Sequence, residues 1–144
     1  GNFLIKQVVE DLTSEFGNLK TFVTLSPIPL FQSWLKNEGA KITMKENNNL
    51  SKLVAFYILN GKRDDGLPFD PVARFHLGNG AQVHAVHENA DISEKGINQS
   101  QGMMVNYLYD PSMIGINHEK FVSENIIPAS NEIISLSKSV VKVE

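Results

Sequence analysis

The chain has 144 residues, with 13 Lys and Arg against 16 Asp and Glu, and a formal net charge of −3 gives it no basic surface for nucleic acid or an anionic membrane. An apolar content of 42% with 20% charged residues is that of one folded domain, long enough to bury roughly 68–70% of its unfolded surface. No cysteine is present, which excludes disulfides, thiolate zinc sites and cysteine nucleophiles and fits a cytoplasmic protein.

Residues 3–16 place Leu4, Ile5, Val8, Val9, Leu12 and Phe16 on one stripe of helical period, with Gly17-Asn18 as the stop. The first residues carry neither Met nor a secretory pattern, so this end is expected to be a scar or a cut end of a longer protein. Residues 20–25 favour a strand, which opens into Ser26-Pro27-Ile28-Pro29. The two prolines bias Ser26 and Ile28 to extended geometry and aim the Ser26 side chain. A short helix is predicted over 31–36 and an exposed connection over 37–49. A second helix over 50–60 is closed by Gly61. Its apolar run, residues 53–59, is far short of the ~18 needed to span a bilayer.

Residues 62–71 read as a loop, because they mix charge with Gly66, Pro68 and Pro71. Asn79-Gly80 is a hairpin signal ahead of a strand at 81–86. Residues 91–101 read as a turn or single helical turn begun by Asp91 or Ser93. Residues 103–109 read as a strand, and 128–141 as a last amphipathic helix starting at Pro128. The expected fold is a single α+β domain, a mixed sheet flanked by helices, with no internal repeat.

Four histidines are present. His84 and His87 are three apart, on opposite faces of a strand, so no metal site is expected. His118 stands beside Glu119 in a polar stretch and reads as exposed. His76, between Phe75 and Leu77 and just before a tight turn, has a frame that would suit a proton donor or acceptor at neutral pH. A core-edge histidine bonded to backbone fits the same residues. Ser26 is open to a nucleophilic or hydrogen-bonding role and equally to an ordinary Ser-Pro loop. No GxSxG elbow, GxGxxG or Walker pattern occurs. Tyr107 and Tyr109, two apart on a strand, share a face that is either core or cleft.

Four stretches carry a resemblance. They are Phe3-Leu4-Ile5-Lys6-Gln7-Val8-Val9; Leu25-Ser26-Pro27-Ile28-Pro29; residues 71–81, with Arg74-Phe75-His76-Leu77-Gly78-Asn79-Gly80; and residues 90–109, ending in Val105-Asn106-Tyr107-Leu108-Tyr109. In this order they resemble the C-terminal catalytic part of the malonyl-CoA decarboxylase family. The resemblance implies a GNAT-like fold that grips the pyrophosphate of a CoA thioester at a helix N-terminus, here Asn2 and Phe3. By position it implies His76 as proton donor, Ser26 as the group orienting the malonyl unit, and Tyr109 as a further hydrogen-bonding residue. It implies malonyl-CoA as substrate and neither metal nor organic cofactor. The chain begins inside the helix whose preceding turn binds CoA phosphates in the family, and its 37–50 connection is shorter than in long members. An acidic active-site residue that the family keeps in the missing portion is expected to be absent too. Half of an active-site domain is therefore expected, weak in binding CoA thioesters and completed by a missing N-terminal portion or by homo-oligomer formation. A GNAT-type acyltransferase and a non-catalytic remnant pairing through its sheet edge are the alternatives.

Overall fold

A computed structural model of the chain describes residues 7, 8, 10, 11, 21–44 and 49–142. Residues 7, 8, 10 and 11 are helical; the remainder of the helix predicted over 3–16, including Asn2 and Phe3, lies outside the described residues. The described order is β1 (Phe22–Ser26), α1 (Phe31–Glu38), a 3₁₀ turn (Gly39–Lys41), β2 (Ile42–Met44), α2 (Leu50–Asn60) and α3 (Pro71–Gly78). It continues with β3 (Gln82–His87), α4 (Glu94–Ser100), β4 (Met104–Tyr109), α5 (Ile114–Glu124), α6 (Asn131–Lys138) and β5 (Val140–Lys142).

The main sheet has the order β1-β4-β3, and both pairings are antiparallel. Alternation sends Val105, Tyr107 and Tyr109 of β4 into the core, while Val23 and Leu25 of β1 stay about half exposed on the other face. In β3, Val83 pairs with Tyr107 and Ala85 with Asn106, so His84 is the extra residue of a bulge. The bulge resets the side-chain parity, and Val83 and Val86, three apart, are opposite the inward Tyr107 and Val105. A second sheet pairs β2 with β5.

Helix α2 buries five consecutive residues, Val54 to Ile58, and is therefore surrounded by core; Asn49 caps it by accepting from the Lys52 amide at 2.9 Å. Among the described residues no helix is long and apolar enough to cross a membrane.

Several sequence expectations are corrected. Residues 71–78, unassigned beyond the predicted loop, form α3: Asp70 caps it and Pro71 takes its first position. Asn79-Gly80 closes that helix instead of turning a hairpin, with the Gly80 amide donating to Leu77 O and the Ala81 amide to His76 O. Gly80 has φ +89°, and a Cβ there would stand 2.6 Å from Ile114. Gly80→Ala is expected to cost about 2–4 kcal/mol, from the left-handed backbone and the clash together, read as a lower urea midpoint. The 37–49 connection contains the end of α1, the 3₁₀ turn and β2. The last helix is shorter than predicted: Ser130 caps it, Val83 N donates to Pro128 O, and Val140–Lys142 pairs with β2 instead. Helix α5 went unpredicted because its buried face carries Asn117 between Ile114 and Phe121, which breaks the apolar stripe; Asn117 donates to Gly80 O at 3.3 Å.

Candidate active site

Three elements converge on one imidazole. Asp70 accepts from the Ala73 amide at 2.8 Å and starts α3, whose inward stripe is Ala73, His76 and Leu77. His76 is thereby laid over the core face of β4. Its ring stacks on Tyr107 with centroids 4.5 Å apart and planes 19° apart, and the Phe75 ring meets it edge-on at 5.2 Å. Tyr107 is opposite Thr24 in the β1–β4 register, between the Ser26 and Tyr109 positions. A ring flat on Tyr107 can reach both neighbours at once. His76 Nε2 lies 3.1 Å from Ser26 Oγ, and Nδ1 lies 2.5 Å from the Tyr109 hydroxyl. Ser26 Oγ is also 3.1 Å from Thr24 Oγ1, two residues back on the same strand face.

Burial depresses the His76 pKa from 6.5 to about 4, so the imidazole is neutral at pH 7 and holds one ring proton. Which nitrogen holds it follows from hydrogen-bond satisfaction. Tyr109 is fully buried, burial pushes its hydroxyl pKa up, and His76 Nδ1 is its one hydrogen-bond partner among the described residues. Its O–H must donate there, because an unmatched buried hydroxyl is costly. Nδ1 is then the acceptor and Nε2 carries the proton, directed at Ser26. The Ser26 hydroxyl is left to donate to Thr24 or to a ligand. The chain of donors runs from Tyr109 through His76 to Ser26, all three buried.

Below this relay sits a second buried group. Asp70 is 1% exposed, and burial raises its carboxyl pKa to about 6 despite the opposing hydrogen bonds from the Ala73 amide and the Tyr57 hydroxyl. Tyr57 donates to it at 3.3 Å. Arg74, whose charge also favours the carboxylate, donates to the carbonyls of Pro68 and Phe69 at 2.8 and 2.9 Å and pins the loop entering α3.

Ser26, His76 and Tyr109, separately nominated by the sequence, are therefore in direct contact; Tyr107 is the surface His76 rests on. His84 is in the bulge, His87 is bonded to Asn106, and His118 is on α5. Among the described residues no three His, Asp or Glu side chains gather as a metal site. Sequence reasoning missed Asp70, Tyr57 and Thr24. Asp70-Pro71 was a readable helix start, but the apolar stripe after it is only two residues and a histidine.

Comparison with known proteins matches the family described as malonyl-CoA decarboxylase C-terminal domain over residues 1–49 and 36–143. Mouse "Malonyl-CoA decarboxylase, mitochondrial" is 33% identical over 181 residues, covering 94% of this chain and 37% of its own. That alignment is longer than the 144-residue chain, so the mouse protein holds a stretch with no counterpart here, and the overlap of the two family segments puts the break at 36–49. The crystal structure of malonyl-CoA decarboxylase from Rhodopseudomonas palustris superposes with a TM-score of 0.84 at 39% identity, covering 94% of this chain and 39% of that one. The enzyme from Agrobacterium vitis gives 0.83 at 37%, covering 94% and 40%. The chain thus spans less than half the length of these relatives, and its α+β fold is theirs, GNAT-like. With sequence, fold and chain coverage in agreement, the chain belongs to the malonyl-CoA decarboxylase C-terminal domain family.

Proposed function

We propose that the chain carries the proton-handling side of a malonyl-CoA decarboxylase site. The observation that carries this reading is the oriented relay from Tyr109 through His76 to Ser26. Loss of CO₂ breaks the bond between the carboxyl and the α-carbon and leaves its electron pair in the thioester as an enolate. That carbon then needs one proton. His76 Nε2–H supplies it, and the Tyr109 O–H on Nδ1 stabilises the ring as the proton leaves. Ser26 donates to the malonyl group and holds the breaking bond perpendicular to the thioester plane, where orbital overlap with the carbonyl is greatest. A neutral, buried donor suits this chemistry, since a cationic imidazolium would pair with the substrate carboxylate and oppose its departure.

The test uses the purified chain, alone and fused behind the amino-terminal portion of the Rhodopseudomonas palustris relative. From labelled malonyl-CoA in deuterated water the fused chain is expected to yield CO₂ and acetyl-CoA with no acceptor added, with one solvent deuterium in the acetyl methyl group, and the chain alone little or no product. Acyl transfer to an added amine without CO₂ release would replace this reading with a transferase.

A further inference from the structure

A cavity lined by none of Ser26, His76 or Tyr109 opens where α1, the loop after α2 and β5 meet, with a volume of about 450 Å³. Ligand sites commonly occupy about 300–1,000 Å³. Its inner wall is aromatic, made of Trp34, Phe56 and Phe69. Its rim is cationic. Lys41, Lys62 and Lys142 all line it. Lys41 pairs with Glu38 at 3.3 Å, whereas Lys62 and Lys142 have no acidic partner among the described residues. Lys62 is exposed at the rim, and its partial burial lowers its pKa. Trp34 is only 8% exposed, and its indole Nε1 lies beside Gly61, bonded to no acceptor among the described residues but not sealed from water. An indole donor and two lysines without acidic partners therefore line one cavity with an aromatic inner wall.

The wall residues Glu38, Lys41 and Ile42 belong to the connection at which the family match divides. The cavity is thus bounded by the segment in which this chain departs from its relatives.

We propose that this cavity is a binding site for a small organic anion with a flat aromatic body, of nucleoside monophosphate size. The ring lies against Trp34 and Phe69, and the anionic group is held between Lys62 and Lys142. This site is independent of the decarboxylation reading and stands if that reading fails.

Trp34 is the single tryptophan of the chain, so its fluorescence and its indole N–H resonance report on this cavity alone. Titration with adenosine 5′-monophosphate is expected to change both, saturably, with a dissociation constant below about 1 mM. The exposed pair Lys62→Gln with Lys142→Gln, checked for an unchanged circular dichroism spectrum, is expected to raise that constant about tenfold. Adenosine, which lacks the anion, and inorganic phosphate, which lacks the ring, are each expected to bind at least about tenfold more weakly than the nucleotide. Absence of saturation, or binding indifferent to the lysine pair, overturns the proposal. Competition by coenzyme A at equal concentration would overturn it as well, by making the cavity part of the thioester site.

Discussion

His76→Asn, in the chain fused behind a relative's amino-terminal portion, is expected to lower malonyl-CoA turnover by about 10²–10⁴. Coenzyme A affinity should change by no more than about twofold, because a proton donor acts on the transition state and not on the bound thioester. Asparagine is the informative replacement. Its amide oxygen can take the Nδ1 position and go on accepting from Tyr109, while nothing replaces Nε2, so the transferable proton is lost and the buried acceptor is kept. Its cost is on stability, since the ring atoms stacked on Tyr107 are lost, about 1–3 kcal/mol. Ser26→Ala is expected to lower turnover less, by about 10–10², because a lost orienting hydrogen bond leaves the donor in place. Turnover unchanged in the His76 variant would remove it from the mechanism, and a larger loss at Ser26 would exchange the two roles. Single-turnover CO₂ release, with coenzyme A binding by calorimetry, separates these outcomes.

The two buried titratable groups of α3 push stability in opposite directions over the same pH range. His76 has a pKa of about 4 in the fold against 6.5 unfolded. Between those values the unfolded chain binds the extra proton, so the His76 contribution strengthens as pH rises. Asp70 has about 6 in the fold against 3.8. Across that interval the folded chain binds the extra proton, and the Asp70 contribution weakens as pH rises. The groups facing Asp70 are Tyr57 from α2, Tyr107 from β4 and Arg74 from its own helix, and only Arg74 is charged in this range. The parent should therefore show little slope from this pair. Asp70→Asn, which keeps a helix-capping side chain, is expected to gain stability relative to the parent as pH climbs from about 4 to 6. His76→Asn is expected to lose it over about 4 to 6.5. Urea midpoints at pH 4.5, 5.5 and 6.5 read both slopes, and two variants with the same slope as the parent would refute the opposition.

How much of this was legible in the sequence depended on whether a signal was local. Helix α2 and strands β1 and β4 are long enough to show their period, and Gly61 marks the α2 stop. Ser26, His76 and Tyr109 came individually from proline-fixed geometry, an apolar frame and family resemblance, but no local pattern says that residues 50 and 33 positions apart share hydrogen bonds. Helix α3 was hidden because a buried histidine occupies its apolar stripe, and α5 because a buried asparagine occupies its own. Strands β2 and β5 are three residues each, too short for alternation to register, and they exist because each supplies the other's edge. The β3 bulge breaks the period of two, so Val83 and Val86, three apart, both face Tyr107 and Val105, which no alternation could foretell.

The β1–β4 pairing also decides when the site comes into being. Ser26 is opposite Val105 in that ladder, and Asn106 reaches back 82 residues to donate to the Thr24 carbonyl. Closing so long a chain loop comes at an entropic penalty before any contact offsets it, so such strands join late and slowly. His76, on the intervening α3, has nothing to stack on and no Tyr109 hydroxyl to accept from until β4 is in place. Partly folded chains would therefore hold helices without a relay. Formation of the His76–Tyr107 stack after dilution from denaturant, read by the His76 ring resonances, should follow the slowest folding phase, with no early fraction of stacked molecules.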